Sequence, residues 1–165
     1  MKRTLAFALA LALASPAAAA RLEIHYAPEE NLEKVDVALI DGAKSSIDMA
    51  AYVLTDVAVI DAIGRAAGRG VKVRLFLEPN QEHGGGYAAA AREKLLATPG
   101  VETKRNPRSA WMHLKSYVVD GALLRMGAAN LSASGLKQQD NDLLITDDAG
   151  LVGRFGAHFE RMWGR

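Results

Sequence analysis

The chain contains no cysteine. Disulfides and thiolate metal sites are thereby excluded, and the fold must be stable through its core alone. It also lacks an excess of either charge: 20 Lys and Arg stand against 19 Asp and Glu. A broadly basic coat for nucleic acid is ruled out, so any anion binding must be local. His25, His83 and His158 stand singly, with no carboxylate or second histidine at metal-ligand spacing. No metal and no cofactor are expected from them. The "HGGGY" stretch from His83 to Tyr87 lacks the P-loop pattern and reads as a loop.

What is present begins with a basic start at Lys2 and Arg3, an apolar stretch from Leu5 to Ala14, and small residues from Ala17 to Ala20. About ten apolar residues fall short of the roughly 20 that a spanning helix needs. Residues 1–20 therefore read as a secretory signal peptide, and a periplasmic or secreted protein is expected. Its removal takes Lys2 and Arg3 and no acid, leaving a net charge of about −1. Residues 21–165 carry no internal repeat and no linker, and are expected to form a single domain.

Within that domain strand and helix signals alternate. Arg21 to Ala27 reads as a strand stopped by Pro28; Asn31 caps a helix with Leu32, Val35, Ala38 and Leu39 on one side; Ser46 to Leu54 is a second strand. Asp56 opens another helix, ended at Gly68 and Gly70, and "VKVRLFL" from Val71 to Leu77 is the clearest strand. A loop from Glu78, an Ala-rich helix from Tyr87 to Ala97, a strand from Val101 and a closing helix from Ala149 to Trp163 follow. This order predicts an α/β fold with a mixed, mostly parallel central sheet flanked by helices on both faces.

The stretch "MHLKSYVVDG", Met112 to Gly121, spends a strand-like run on polar residues. Alternation puts His113 and Lys115 on one face and Asp120 on the other. Asp120-Gly121 predicts a two-residue hairpin pairing Val119 with Ala122, Lys115 with Met126 and His113 with Ala128. Gly127 and the alanines after it would leave room for a ligand, and the Asn130 amide could donate to an oxyanion. Imidazole, ammonium and amide are parts suited to holding and attacking a phosphoryl group. A lone H-x-K is ordinarily a solvated pair on an edge strand. The longer pattern H-x-K-x4-D-x6-G-x-x-N arises by chance in roughly one chain in ten thousand or fewer.

That pattern resembles the signature of the phospholipase D superfamily. The "NLSASG" after it and the "QQDND" leading into "LLIT" extend the likeness, and the leader and single motif copy resemble the family's bacterial exported endonuclease branch. The resemblance implies a metal-independent phosphodiesterase that works as a homodimer, two motif copies facing each other across a two-fold axis. It implies that His113 of one subunit attacks phosphorus while the other subunit's copy protonates the leaving oxygen, with Lys115 and Asn130 steadying the charge. Asp140 matches the acidic residue that orients the nucleophile, with Asp142 second; Asp120 is expected to hold the hairpin. One departure is Ala128, where the family usually has Ser or Thr.

Upstream, Lys104, Arg105, Arg108 and Trp111 could track a nucleic-acid backbone and stack a base, or be a solvated loop with Trp111 at a dimer contact. A nuclease acting on DNA or RNA is the reading that follows. The alternatives are hydrolysis of phospholipid head groups and a degenerate module that binds anionic polymers without cutting them.

Overall fold

The computed structural model describes residues 19–81 and 86–165. The expected leader, apart from its last two residues, lies outside these, as does His83. Seven strands and five α-helices follow in the order β1 (Leu22–Ala27), α1 (Leu32–Gly42), β2 (Ser46–Ala51), α2 (Val57–Gly68), β3 (Lys72–Leu77), α3 (Gly86–Leu96), β4 (Val101–Arg105), β5 (Lys115–Val119), β6 (Leu123–Gly127), α4 (Ala133–Lys137), β7 (Asn141–Thr146) and α5 (Ala149–Trp163). Side-chain caps start the helices where the sequence offers them: Asn31 accepts from the Lys34 amide, Asp56 from Val59 and Asp148 from Leu151.

The strands form one sheet in the order β1-β7-β6-β5-β2-β3-β4. β2, β3 and β4 pair in parallel through the crossovers of α2 and α3, while the other four pairings are antiparallel. The sheet is therefore mixed but mostly antiparallel, not mostly parallel. The β5–β6 hairpin and the insertion of β7 between β6 and β1 are what reverse the balance.

Helices cover both faces unequally. Ile40 of α1, Ile60 and Ile63 of α2, Leu95 of α3 and Leu136 of α4 pack with Ile47, Met49, Val73, Leu75 and Ile145 in one cluster. Among the described residues only α5 lies on the opposite face, with Phe159 and Met162 on Ala50 and Phe76, and Val152 on Val118 and Leu124. Burying a side chain such as Phe159 contributes roughly 1.5–3 kcal/mol. Arg74 locks this helix down, bonding Asp48 on the sheet and Glu160 on α5 while lying 5.0 Å from the Phe159 ring centre. Beyond the reach of α5 the same face leaves Leu22, Ile24, Tyr26 and Met126 exposed.

The hairpin turns where expected, but its register is shifted by one residue. Asp120 and Gly121 both adopt positive φ, 55° and 64°, and the Ala122 amide donates to the Val119 carbonyl. Ala122 then bulges out, so that Val119 pairs with Leu123 and Tyr117 with Arg125. In consequence Arg125 shares the helix-covered side of the sheet with Lys115 and Tyr117.

Candidate active site

Lys115 is the first residue of β5, a strand held between β6 and β2, and its side chain is buried although it carries the ammonium. Its Nζ donates to the His113 carbonyl at 2.9 Å and lies 3.2 Å from Nδ1 and 3.3 Å from Nε2 of the same imidazole. Tyr52, just past β2, supports both: its ring centre lies 4.2 Å from that of His113 and 4.8 Å from the ammonium. The imidazole itself remains exposed. Partial desolvation of the ring first and the Lys115 charge second hold His113 below the ordinary imidazole range, so its neutral, nucleophilic form persists to lower pH. Burial, then Arg125, likewise lowers Lys115.

Beneath this pair lies a polar cluster. Arg125 is fully buried and grips the Asp36 carboxylate with two bonds of 2.8 Å, while its third nitrogen donates to the Lys115 carbonyl at 2.7 Å. The Tyr117 hydroxyl donates to Asp36 at 2.7 Å, and burial followed by that carboxylate raises the phenol well above its usual value. A second buried acid, Glu78, accepts from the Met112 amide at 2.9 Å and from Asn106 at 3.0 Å. It thereby fixes the segment that delivers His113.

The remaining motif residues divide. Asn130 follows β6 at the same end of the strands as His113, and its side-chain oxygen is buried with no hydrogen-bond partner among the described residues. Gly127 leaves no room for a ligand: β7 occupies the space, and a Cβ there would meet the Asp142 carbonyl at 2.4 Å. The glycine is required by that close approach. Asp120 lies at the far end of β5, where its carboxylate accepts the amides of Lys44, Ser45 and Ser46 and the Ser45 hydroxyl. It ties the hairpin to the start of β2 and does not touch His113.

Asp142 accepts the Ala128 amide at 2.9 Å. Asp140 is exposed and lines a cavity of about 630 Å³ with Tyr26, Glu29, Glu30 and Ala128; no hydrogen bond joins it to His113 among the described residues. Of the upstream cations, Lys104 is drawn away to the Trp163 carbonyl at the end of α5, and Arg105 closes β4. Arg108 and Trp111 line a second cavity together with His113. Tyr52, Asp36, Arg125 and Glu78 were not singled out from sequence. Only Asp36 carried a signal, as an acid four residues from Leu32 and from Ile40 on a buried helix stripe.

The model of the family "Cardiolipin synthase, PLD-like domain" matches residues 37–163. A mitochondrial cardiolipin hydrolase of Drosophila melanogaster is 31% identical over 153 residues, covering 81% of this chain and 58% of that protein. The Xenopus laevis protein of the same name is 27% identical over 124 residues, 74% of this chain and 56% of that one. The chain thus spans little more than half the length of these curated relatives. Among solved structures, the phospholipase D family member Nuc of Salmonella typhimurium shares the fold with a TM-score of 0.79, at 23% identity over 88% of this chain and 95% of that one. A family match across three quarters of the sequence, with the motif histidine and lysine in contact at its centre, makes this chain a member of the phospholipase D superfamily.

Proposed function

We propose that the protein is a phosphodiesterase acting through a phosphohistidine, that its substrate is nucleic acid, and that it cuts as an endonuclease with little sequence preference. The observation that carries this reading is the exposed, neutral-biased His113 in contact with the buried Lys115 ammonium. A nitrogen nucleophile and a fixed cation for the equatorial oxygens then stand side by side. The P–N bond forms as the P–O bond to the leaving group breaks, and the leaving oxygen takes a proton from a second His113. Water then returns that proton as it displaces the imidazole. Asn130 contributes its amide to the phosphoryl oxygens, and no metal is assigned a part.

One chain supplies one such histidine, so the reading includes a homodimer. The apolar patch of Leu22, Ile24, Tyr26 and Met126 beside α5 supports a second copy as its cover. An oxidising compartment, periplasmic or external, is proposed from the leader pattern at Lys2 to Ala20.

Phospholipid is the second reading, favoured by the name cardiolipin hydrolase that the relatives carry. Nucleic acid is preferred because the cavity beside His113 is walled by Arg108, Trp111 and His158 and offers no long apolar channel for acyl tails. The test is to incubate purified protein in chelator with plasmid DNA, RNA and cardiolipin vesicles, with His113→Ala as control. Nicking of DNA or cleavage of RNA that the variant lacks is expected. Release of lipid head groups alone selects the second reading, and binding of nucleic acid without cleavage selects a non-catalytic module.

A further inference from the structure

Two cavities of opposite character open at the edge of the sheet that carries His113. One is lined by Glu29, Glu30, Asp140 and Asp142. The other, about 210 Å³, runs from His113 past Trp111 and Arg108 to His158 and Arg165 at the end of α5, and among the described residues no Asp or Glu side chain lines it. A polyanion whose phosphorus lies at His113 is repelled on the first side and attracted on the second.

We propose that this second cavity is a subsite for a neighbouring phosphate of the same strand, one nucleotide removed from the scissile bond. The proposal rests on the nucleic-acid reading above and names where the strand runs. Arg108 and Arg165, which line this cavity, have no acidic partner among the described residues, whereas Arg21, Arg65, Arg74 and Arg125 each have one. Two guanidinium groups without an acidic partner among the described residues thus stand in a groove that reaches the nucleophile.

His158 lines the groove from the α5 side. Arg161 approaches its Nδ1 at 3.4 Å, and an Nδ1 that accepts this bond leaves the proton on Nε2, free to meet an anionic oxygen. Both walls are fixed before any ligand arrives. Asn106 donates to the Ala110 carbonyl and accepts the Arg108 amide, bracing the loop; Arg74 and the buried Phe159 and Met162 brace α5. The volume is below the roughly 300–1,000 Å³ of sites that enclose a whole drug-sized ligand, so it suits one piece of a longer substrate. Trp111, 62% exposed at the rim, offers a flat ring to the adjoining base.

The test compares a short single-stranded oligonucleotide with bis(p-nitrophenyl) phosphate, which has one phosphate and cannot reach the groove. The pair Arg108→Gln with His158→Gln is expected to lose roughly ten-fold more kcat/KM on the oligonucleotide than on the small diester, as the loss of charge-assisted bonds implies. The salt dependence should also become shallower, by about 0.7 in log–log slope for one lost phosphate contact. Arg108→Lys, which keeps the charge, should recover part of the loss, separating the role from a folding defect.

Equal losses on both substrates, or none on either, overturn the subsite while leaving the nuclease reading intact. A wild-type protein that cleaves cardiolipin vesicles but no oligonucleotide overturns both. So does one that turns over neither substrate.

Discussion

Arg125 and Asp36 meet through two bonds of 2.8 Å, both side chains essentially sealed from solvent, one on β6 and the other on α1. The pair does more than join a helix to the sheet. The same guanidinium holds the carbonyl of Lys115, so the strand carrying the site's cation is clamped from below.

Removing one partner leaves the other charged and buried. Arg125→Met or Asp36→Ala is expected to cost about 3–5 kcal/mol in denaturant unfolding. Arg125→Lys keeps the charge but not the paired geometry and should fall between these and wild type. A loss below about 1 kcal/mol in either truncation would falsify the clamp.

Asp120→Asn should lower stability by about 1–3 kcal/mol, because the carboxylate collects three amides and a hydroxyl. Burial alone would raise its pKa, but those bonds outweigh it and the carboxyl titrates below its usual value. Its stabilisation is therefore present above the unfolded pKa of about 3.9 and disappears as pH falls through the folded value. Melting curves should show the gap to wild type closing below about pH 4, while turnover per folded molecule stays near wild type. An Asp120 variant with unchanged melting and no activity would place this residue in the chemistry instead.

The pH profile of kcat/KM is expected to be bell-shaped, with its acid limb below the ordinary imidazole value of about 6.5, since partial desolvation and Lys115 both favour neutral His113. Its two limbs belong to the coupled pair of histidines in the proposed dimer. In Lys115→Met one of the two causes is gone, and the His113 titration followed by NMR should move upward. A titration that moves downward or not at all removes the lysine from this role.

Ile24→Lys puts a charge on the exposed apolar patch, 48% open in the single chain. Sedimentation should find a monomer whose turnover is at least roughly ten-fold lower, as expected for a site completed by a second copy. A variant that stays dimeric and fully active moves the interface elsewhere.

Legibility in the sequence followed the range of the forces involved. Caps at Asn31, Asp56 and Asp148 are local, and the helices they start could be read directly. The Asp120-Gly121 turn was legible too, but the bulge at Ala122 was not, because nothing in an alanine announces an unpaired residue; that single residue moved Arg125 beside Lys115. Tyr52 sits in "AAYVLT", a run that reads as ordinary strand, and becomes part of the site only because the β2–β5 pairing carries it to His113. Strand direction failed for a similar reason: the hairpin was legible and made the sheet mixed, but the place of β7 between β6 and β1 is not encoded in the local alternation of strand and helix that suggested a mostly parallel sheet.

β1 has a single partner, β7, with Leu22 opposite Thr146. On a ribosome the first strand therefore emerges long before anything exists for it to pair with. Until about 120 further residues have been made, Leu22, Ile24 and Tyr26 have no strand to pair with, and β1 can join the sheet only once β7 exists. Such distant pairing slows folding, and a nascent chain that stops before Asn141 leaves the apolar side chains of β1 without their strand partner.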